Sequence, residues 1–270
     1  MFEETIHDLQ QRLRSSACSE TRQWWEAYVL DGAPFIGVAM PKIRSILHQW
    51  YGQEVEKKFQ LEEQVDLAVA LVERVYTEEK LAGTVFLQEK LLPAFSLALS
   101  SERNLDRFAE LFDRGKLYDW NTCDWFCIKV LGPLIEVGGL EYAGRISAWC
   151  SAQNLWRARA SVVVFVRLVG QCEYYPAIES ACATLVRRSE RFAQTAVGWM
   201  VRDIAKHDVA WAQRFVGEQI QHFSAEALGR AIKHFSKEEQ RYYREFRKKK
   251  KDYKRKKENF SKAVCFQNDR

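Results

Sequence analysis

Glu63-Gln64-Val65-Asp66-Leu67-Ala68-Val69-Ala70-Leu71-Val72-Glu73-Arg74-Val75 decides the fold class of this chain. Its apolar residues return at intervals of three and four, the spacing of a helix face, and no alternating strand pattern interrupts them. Working outward, the same period returns in Glu79–Leu92, Asn121–Ile135, Leu155–Leu168, around Cys182–Leu185 and in Arg191–Ala205. Breaks fall between these runs at Ser100-Ser101, Gly138-Gly139, Gly170-Gln171 and Tyr175-Pro176. Asn154 is placed to cap the helix that follows it, and Ser236 with Glu239 has the spacing of a capping box. Similar helices recur every 35–40 residues, with those opening near Asn121, Asn154 and Glu190 the most alike. That interval predicts an all-α protein, an α-solenoid of paired antiparallel helices with a concave face. A single helical bundle is the rival reading.

Composition agrees with helices. Of 270 residues, 47% are hydrophobic, while Gly and Pro number only 13 and 5. No apolar run approaches the roughly 20 residues needed to span a bilayer, and the opening Met1-Phe2-Glu3-Glu4-Thr5 is acidic rather than signal-like. An intracellular protein is expected: cytoplasm or nucleoid, or nucleus in a eukaryote, with no membrane partner. The seven cysteines lack zinc-ligand spacing and read as buried reduced thiols, so no metal is expected. Charge is unevenly placed. Between Arg241 and Lys257 eleven Lys/Arg face two acids, a net +9, whereas the whole chain carries +5 and residues 258–270 cancel. Residues 1–240 are thus net −4, and the chain divides into a helical-repeat domain (1–240) and a basic C-terminal tail (241–270), partly helical or disordered. An anion bound by the body must meet a local cationic patch.

Four residues stand out as chemistry. Asp124 lies four after Trp120, so both share one helix face. Arg159 closes Asn154-Leu155-Trp156-Arg157-Ala158-Arg159, and Trp199 sits in Ala196-Val197-Gly198-Trp199-Met200-Val201-Arg202. A carboxylate, a guanidinium and two indoles suit a flat cation, a developing positive charge and a phosphate. Each also has an ordinary reading. Tryptophans at helical spacing usually pack in cores, an arginine is usually solvated or ion-paired, and Asp124 reads as a first-turn acid behind an Asn121 cap.

The order of short motifs outweighs those readings. Gly37-Val38-Ala39-Met40-Pro41-Lys42-Ile43-Arg44, Trp120-x-x-x-Asp124, Asn154-x-Trp156-x-x-Arg159, Ala196-x-Gly198-Trp199-x-x-Arg202 and Ala231-Ile232-Lys233-His234 follow one another. Together they resemble the AlkD-type DNA alkylation repair glycosylases, built of HEAT-like repeats, over roughly residues 25–235. One departure is plain: family members carry Gln-Thr before the proline where this chain has Ala39-Met40.

The resemblance implies hydrolysis of the N-glycosidic bond of cationic N3- or N7-alkylated purines in duplex DNA, without base flipping. It implies Asp124 as the carboxylate that stabilises the oxocarbenium-like sugar and positions water, Trp120 and Trp199 as indoles facing the cationic nucleotide, and Arg159 as a phosphate holder. Lys42, Arg44, Arg187, Arg188, Arg202, Lys206 and Lys233 are the expected DNA-backbone contacts. A monofunctional monomer without cofactor is expected, its partner double-stranded DNA bearing alkylated purines. The alternatives are a non-catalytic helical-repeat protein for branched or damaged DNA, and a protein-binding scaffold whose tail is a targeting signal.

Overall fold

Leu61–Val72 is a helix, and its start is fixed by a reciprocal cap in which the Gln60 N–H donates to Glu63 Oε2 at 2.8 Å. Val65, Leu67, Ala68, Leu71 and Val72 of that helix are buried; burying each large apolar side chain contributes about 1.5–3 kcal/mol. The computed structural model describes residues 2–93 and 102–249. Among them all regular structure is helical, so the all-α, HEAT-like class read from the sequence holds. The expected break at Ser100-Ser101 lies outside the described residues, as does the tail beyond residue 249.

The chain forms two compact units, Met1–Leu168 and Val169–Arg270. The first holds α1 (Glu3–Arg14), α2 (Ser19–Tyr28), α3 (Met40–Trp50), α4 (Leu61–Val72), α5 (Thr77–Phe86), α6 (Glu102–Asp113), α7 (Trp120–Phe126), α8 (Gly132–Ser147) and α9 (Leu155–Val163). Three of these helices widen into a π turn at their C-terminal ends: α3 at Tyr51–Val55, α5 at Leu87–Leu91 and α7 at Cys127–Leu131. Helix α4 packs on α5 across the short turn between them, and α7 packs on both α5 and α9. Phe108 and Phe112 of α6 meet Phe126 of α7 edge-on, with ring centres 5.4 and 6.1 Å apart. Helix α8 is broken at Gly139, within the pair read as punctuation.

The second unit holds α10 (Tyr175–Leu185), α11 (Arg191–Ile204), α12 (Val209–Gln219), α13 (Ala225–Ala231) and a last helix, α14, over residues 237–249. Helices α11 and α13 are packed closely, and Gly198 is what permits it: a Cβ there would stand 2.5 Å from the Ala227 carbonyl oxygen. Trp211 and Phe215 stack at 5.2 Å in the core of this unit. Both caps read from the sequence are present. Asn154 Oδ1 accepts the N–H groups of Trp156 and Arg157, and Ser236 and Glu239 bond reciprocally.

Two expectations need correction. The helix expected to start behind Asn121 starts at Trp120, because the Asp119 carboxylate takes the Thr122 N–H at 2.7 Å and so occupies the cap position. Asp124 therefore lies beyond the first turn and caps nothing. The cysteines are not uniformly buried: Cys123, Cys127, Cys150 and Cys182 are, but Cys18 and Cys172 are exposed. Among the described residues no helix is long and apolar enough to cross a membrane.

Candidate nucleic-acid interface

The N-terminal motif is a loop held in place by buried side chains of other elements. Glu78, 1% exposed, accepts three successive backbone N–H groups, from Ile36, Gly37 and Val38, at 2.7–3.0 Å. Asp119 adds the Ala33 N–H at 3.1 Å, and the Thr77 hydroxyl donates to the Ala33 carbonyl at 3.0 Å. The same Asp119 carboxylate thus caps α7 and pins the loop. Gly37 takes φ +102°, and a Cβ there would come within 2.3 Å of the Cys18 carbonyl oxygen. The loop ends at Pro41, which sits in the first turn of α3 where its missing N–H costs nothing.

Helix α3 presents the two expected cations differently. Lys42 is exposed. Arg44 is half-buried: its Nε lies 2.7 Å from Glu89 Oε1, and its guanidinium stands 5.7 Å over the Trp125 ring. His48 Nε2 meets the other Glu89 oxygen at 2.7 Å. Burial alone would push the Glu89 carboxyl up, but the bonds from His48 and Arg44 outweigh it and hold it below the usual carboxylate range. Met40, one of the two residues that depart from the family pattern, lines a small hollow together with Trp25, Phe35 and Trp125. A largely apolar lining therefore stands at the position where this chain departs from the family's Gln-Thr.

Trp120 and Asp124 sit on α7, and Arg159 on α9. Trp120 is half-buried and meets the Tyr28 ring edge-on at 5.4 Å. Tyr28 belongs to an aromatic set on α2, with Trp24 stacked on it at 5.2 Å, and Trp24 and Tyr28 are 58% and 57% exposed. The sequence reading missed this set, although Trp24-Trp25 followed by Tyr28 at helical spacing was there to see.

Asp124 and Arg159 form one unit. Arg159 Nε donates to Asp124 Oδ1 and Nη2 to Oδ2, each at 2.8 Å. The Arg159 side chain is 5% exposed, while the carboxylate keeps 13% of its side-chain surface open. Burial raises the Asp124 carboxyl above its ordinary value, and the Arg159 charge and hydrogen bonds pull it part of the way back. Arg159 was assigned a phosphate from the sequence; here two of its guanidinium nitrogens are committed to Asp124.

In the second unit Trp199 is half-buried on α11, and its indole Nε1 donates to Asp203 Oδ2 at 2.7 Å. Arg202 bonds both Asp203 oxygens at 2.9 and 3.0 Å, and Lys206 Nζ lies 2.9 Å from Oδ1. Trp199, Arg202 and Lys206 were expected to share one face, and they converge on a carboxylate that was not singled out. Burial opposes ionisation of Asp203, yet these partners overcome it and hold its carboxyl below the ordinary range. Of the remaining expected cations, Arg188 pairs with Glu190, Arg187 is exposed and bonds the Ala183 carbonyl, and Lys233 is exposed.

The profile of the family described as "DNA alkylation repair enzyme" matches residues 9–235. This chain belongs to that family, whose name gives it a part in DNA repair and DNA as its substrate. Among solved structures it is similar to a protein from Enterococcus faecalis named "Predicted DNA alkylation repair enzyme", at 19% identity and a TM-score of 0.69. That likeness covers 82% of this chain and 98% of the other, and at this identity it speaks for the fold alone. No curated protein matches the chain.

Proposed function

We propose that this protein is a monofunctional DNA glycosylase acting on purines made cationic by alkylation at N3 or N7. The observation that carries the reading is the Asp124 carboxylate, on the helix that also presents Trp120, paired with the buried guanidinium of Arg159 and keeping 13% of its side-chain surface open. A cationic base leaves as a neutral species when the C1′–N bond breaks, so no protein acid is needed. Positive charge then gathers on the sugar, where a fixed carboxylate in a water-poor surrounding stabilises it strongly. Water adds to C1′, loses a proton, and leaves an abasic site. Asp124 is the group for both charge and water, and Arg159 is its positioning residue, keeping it ionised and in one rotamer.

Trp120 offers its indole to the cationic nucleotide, an attraction of about 0.5–2 kcal/mol. The order of motifs assigns Trp199 the second indole. Since the substrate is already charged, the reaction does not demand a deep base pocket, and excision without base flipping is consistent with that. Lys42, Arg187, Lys233 and the Asp203-linked pair Arg202 and Lys206 are the backbone contacts. The site of action is wherever the cell keeps its DNA, and the working form is a monomer.

The test is incubation with duplexes carrying 7-methylguanine or 3-methyladenine, followed by cleavage at abasic sites. Release above the spontaneous rate is expected, and its absence would reject the enzyme reading. One observation favours the second reading, a non-catalytic binder of branched or damaged DNA: both Asp124 oxygens already accept from Arg159. A gel shift with plain, lesion-bearing and branched duplexes separates the two, since that protein prefers the branched substrate and releases no base.

A further inference from the structure

Helix α14, residues 237–249, lies beyond the family match, which ends at residue 235. Its two sides differ. One is docked on its own unit: Tyr243 Oη donates to the Gln213 carbonyl at 3.3 Å, Arg247 Nε to the Phe223 carbonyl at 2.7 Å, and Gln240 Nε2 to the Phe235 carbonyl at 2.9 Å. Tyr243 also packs its ring on Phe235 at 5.7 Å. The other side carries Lys237, Arg241, Arg244 and Lys248, spaced four, three and four residues apart and lining one open groove with Gln240 and a single acid, Glu245. At about 100° per residue that spacing keeps all four within one narrow stripe.

We infer that this stripe is a second DNA-backbone site, separate from the residues that meet the lesion. The inference rests on DNA being the substrate, but not on glycosidic cleavage. Among the described residues no carboxylate forms an ion pair with any of the four; Arg244 bonds only the neutral Gln240, at 3.3 Å. That sets them apart from Arg44, Arg188, Arg202 and Lys206, each of which has a carboxylate. Eleven helical steps from Lys237 to Lys248 span about 16 Å, and each strand of B-DNA carries a phosphate for roughly every 3.4 Å of duplex axis. Four cations without an ion-pair partner, in a row along a docked helix, therefore match a run of phosphates. A lipid surface fits less well, because no apolar side chain stands between the cations to enter an acyl layer. Tyr242, 58% exposed, stacks on Phe246 away from the stripe.

The test uses the full chain and undamaged duplex, so that its outcome is independent of base release. The variant K237Q/R241Q/R244Q/K248Q changes exposed side chains only, and a thermal melt checks its fold. Binding is followed across a salt series. Each lost phosphate contact lowers the slope of log K against log salt by about 0.9, so a fall of about 3–4 is expected. A control variant replaces Lys250, Lys251, Lys254, Arg255, Lys256 and Lys257 with Gln, and a second arm measures binding to phosphatidylserine vesicles. A slope within one contact of the parent overturns the inference. So does a duplex slope that falls only in the control variant, or a stripe variant that loses vesicle binding while keeping its duplex slope. Retained base release with a reduced slope, or lost release with the parent's slope difference intact, separates this site from the catalytic reading.

Discussion

Asp124 and Arg159 are 35 residues apart in sequence and joined by two hydrogen bonds of 2.8 Å, one to each carboxylate oxygen. Removing one partner of a buried pair leaves an uncompensated charge, at a cost of about 3–5 kcal/mol. Arg159→Ala is therefore expected to destabilise by that order and to lose base release. Asp124→Asn keeps volume and most packing, and is expected to abolish release while binding lesion duplex within a few fold of the parent. Denaturant unfolding and single-turnover excision measure the two effects. A double variant whose loss of stability equals the sum of the two single losses would show that the pair is not coupled.

The raised Asp124 carboxyl sets a pH signature. The reaction needs the ionised form, so activity present at neutral pH is lost as pH falls through the folded-state value. Because burial moves that value upward, the acid limb should lie above that of an ordinary solvent-exposed aspartate. The profile of kcat/KM on a 7-methylguanine duplex, with spontaneous loss subtracted, reads it directly. An acid limb at the ordinary aspartate value would remove Asp124 from the chemical step.

Asp203 holds Trp199 and two cations at once. Asp203→Ala frees Arg202 and Lys206 for phosphate while releasing the indole. The expected result is tighter binding of undamaged duplex at low salt together with a fall in kcat. Asp203→Asn still accepts the indole N–H and should recover much of kcat. A fall in both affinity and kcat for Asp203→Ala, with no recovery in Asp203→Asn, would mean the residue serves folding alone. Its lowered carboxyl also gives a stability signature: stabilisation is present above the ordinary aspartate value and disappears as pH falls through the folded-state value.

What the sequence disclosed was local. The three-and-four period located α4, and the capping residues Asn154 and Ser236 marked helix starts correctly, because a cap is written within four residues of chain. The cap of α7 was misplaced by two residues, since Asp119 and Asn121 are both good caps and only the loop at Ala33, which also needs Asp119, decides between them. The bond between Asp124 and Arg159 joins different helices and leaves no mark in either segment. Trp199 and Asp203 stand four residues apart, so that contact was legible in principle, although Arg202 and Lys206 at the same helical spacing mark the face equally well as a cationic one. The run from Arg241 read as a basic tail, partly helical or disordered; residues 241–249 continue a helix, and its docked side, set by Tyr243 and Arg247, was hidden among many charges.

Glu78 supplies the last prediction. Its carboxylate gathers three backbone N–H groups of the loop that leads to Lys42 and Arg44. Glu78→Ala leaves those donors buried without an acceptor, and each orphaned donor costs about 1–3 kcal/mol. Glu78→Gln keeps shape but turns one acceptor oxygen into a donor, so it should recover only part of the loss. Gly37→Ala attacks the same loop from the backbone side, through its positive φ and the 2.3 Å approach to the Cys18 carbonyl. Both alanine variants should lower the melting temperature, and hydrogen exchange should show loss of protection at Ile36, Gly37 and Val38 before the helical core opens. Unchanged protection at those three amides in Glu78→Ala would show that the loop holds its shape without the carboxylate, and that α3 is positioned by its own packing on α5.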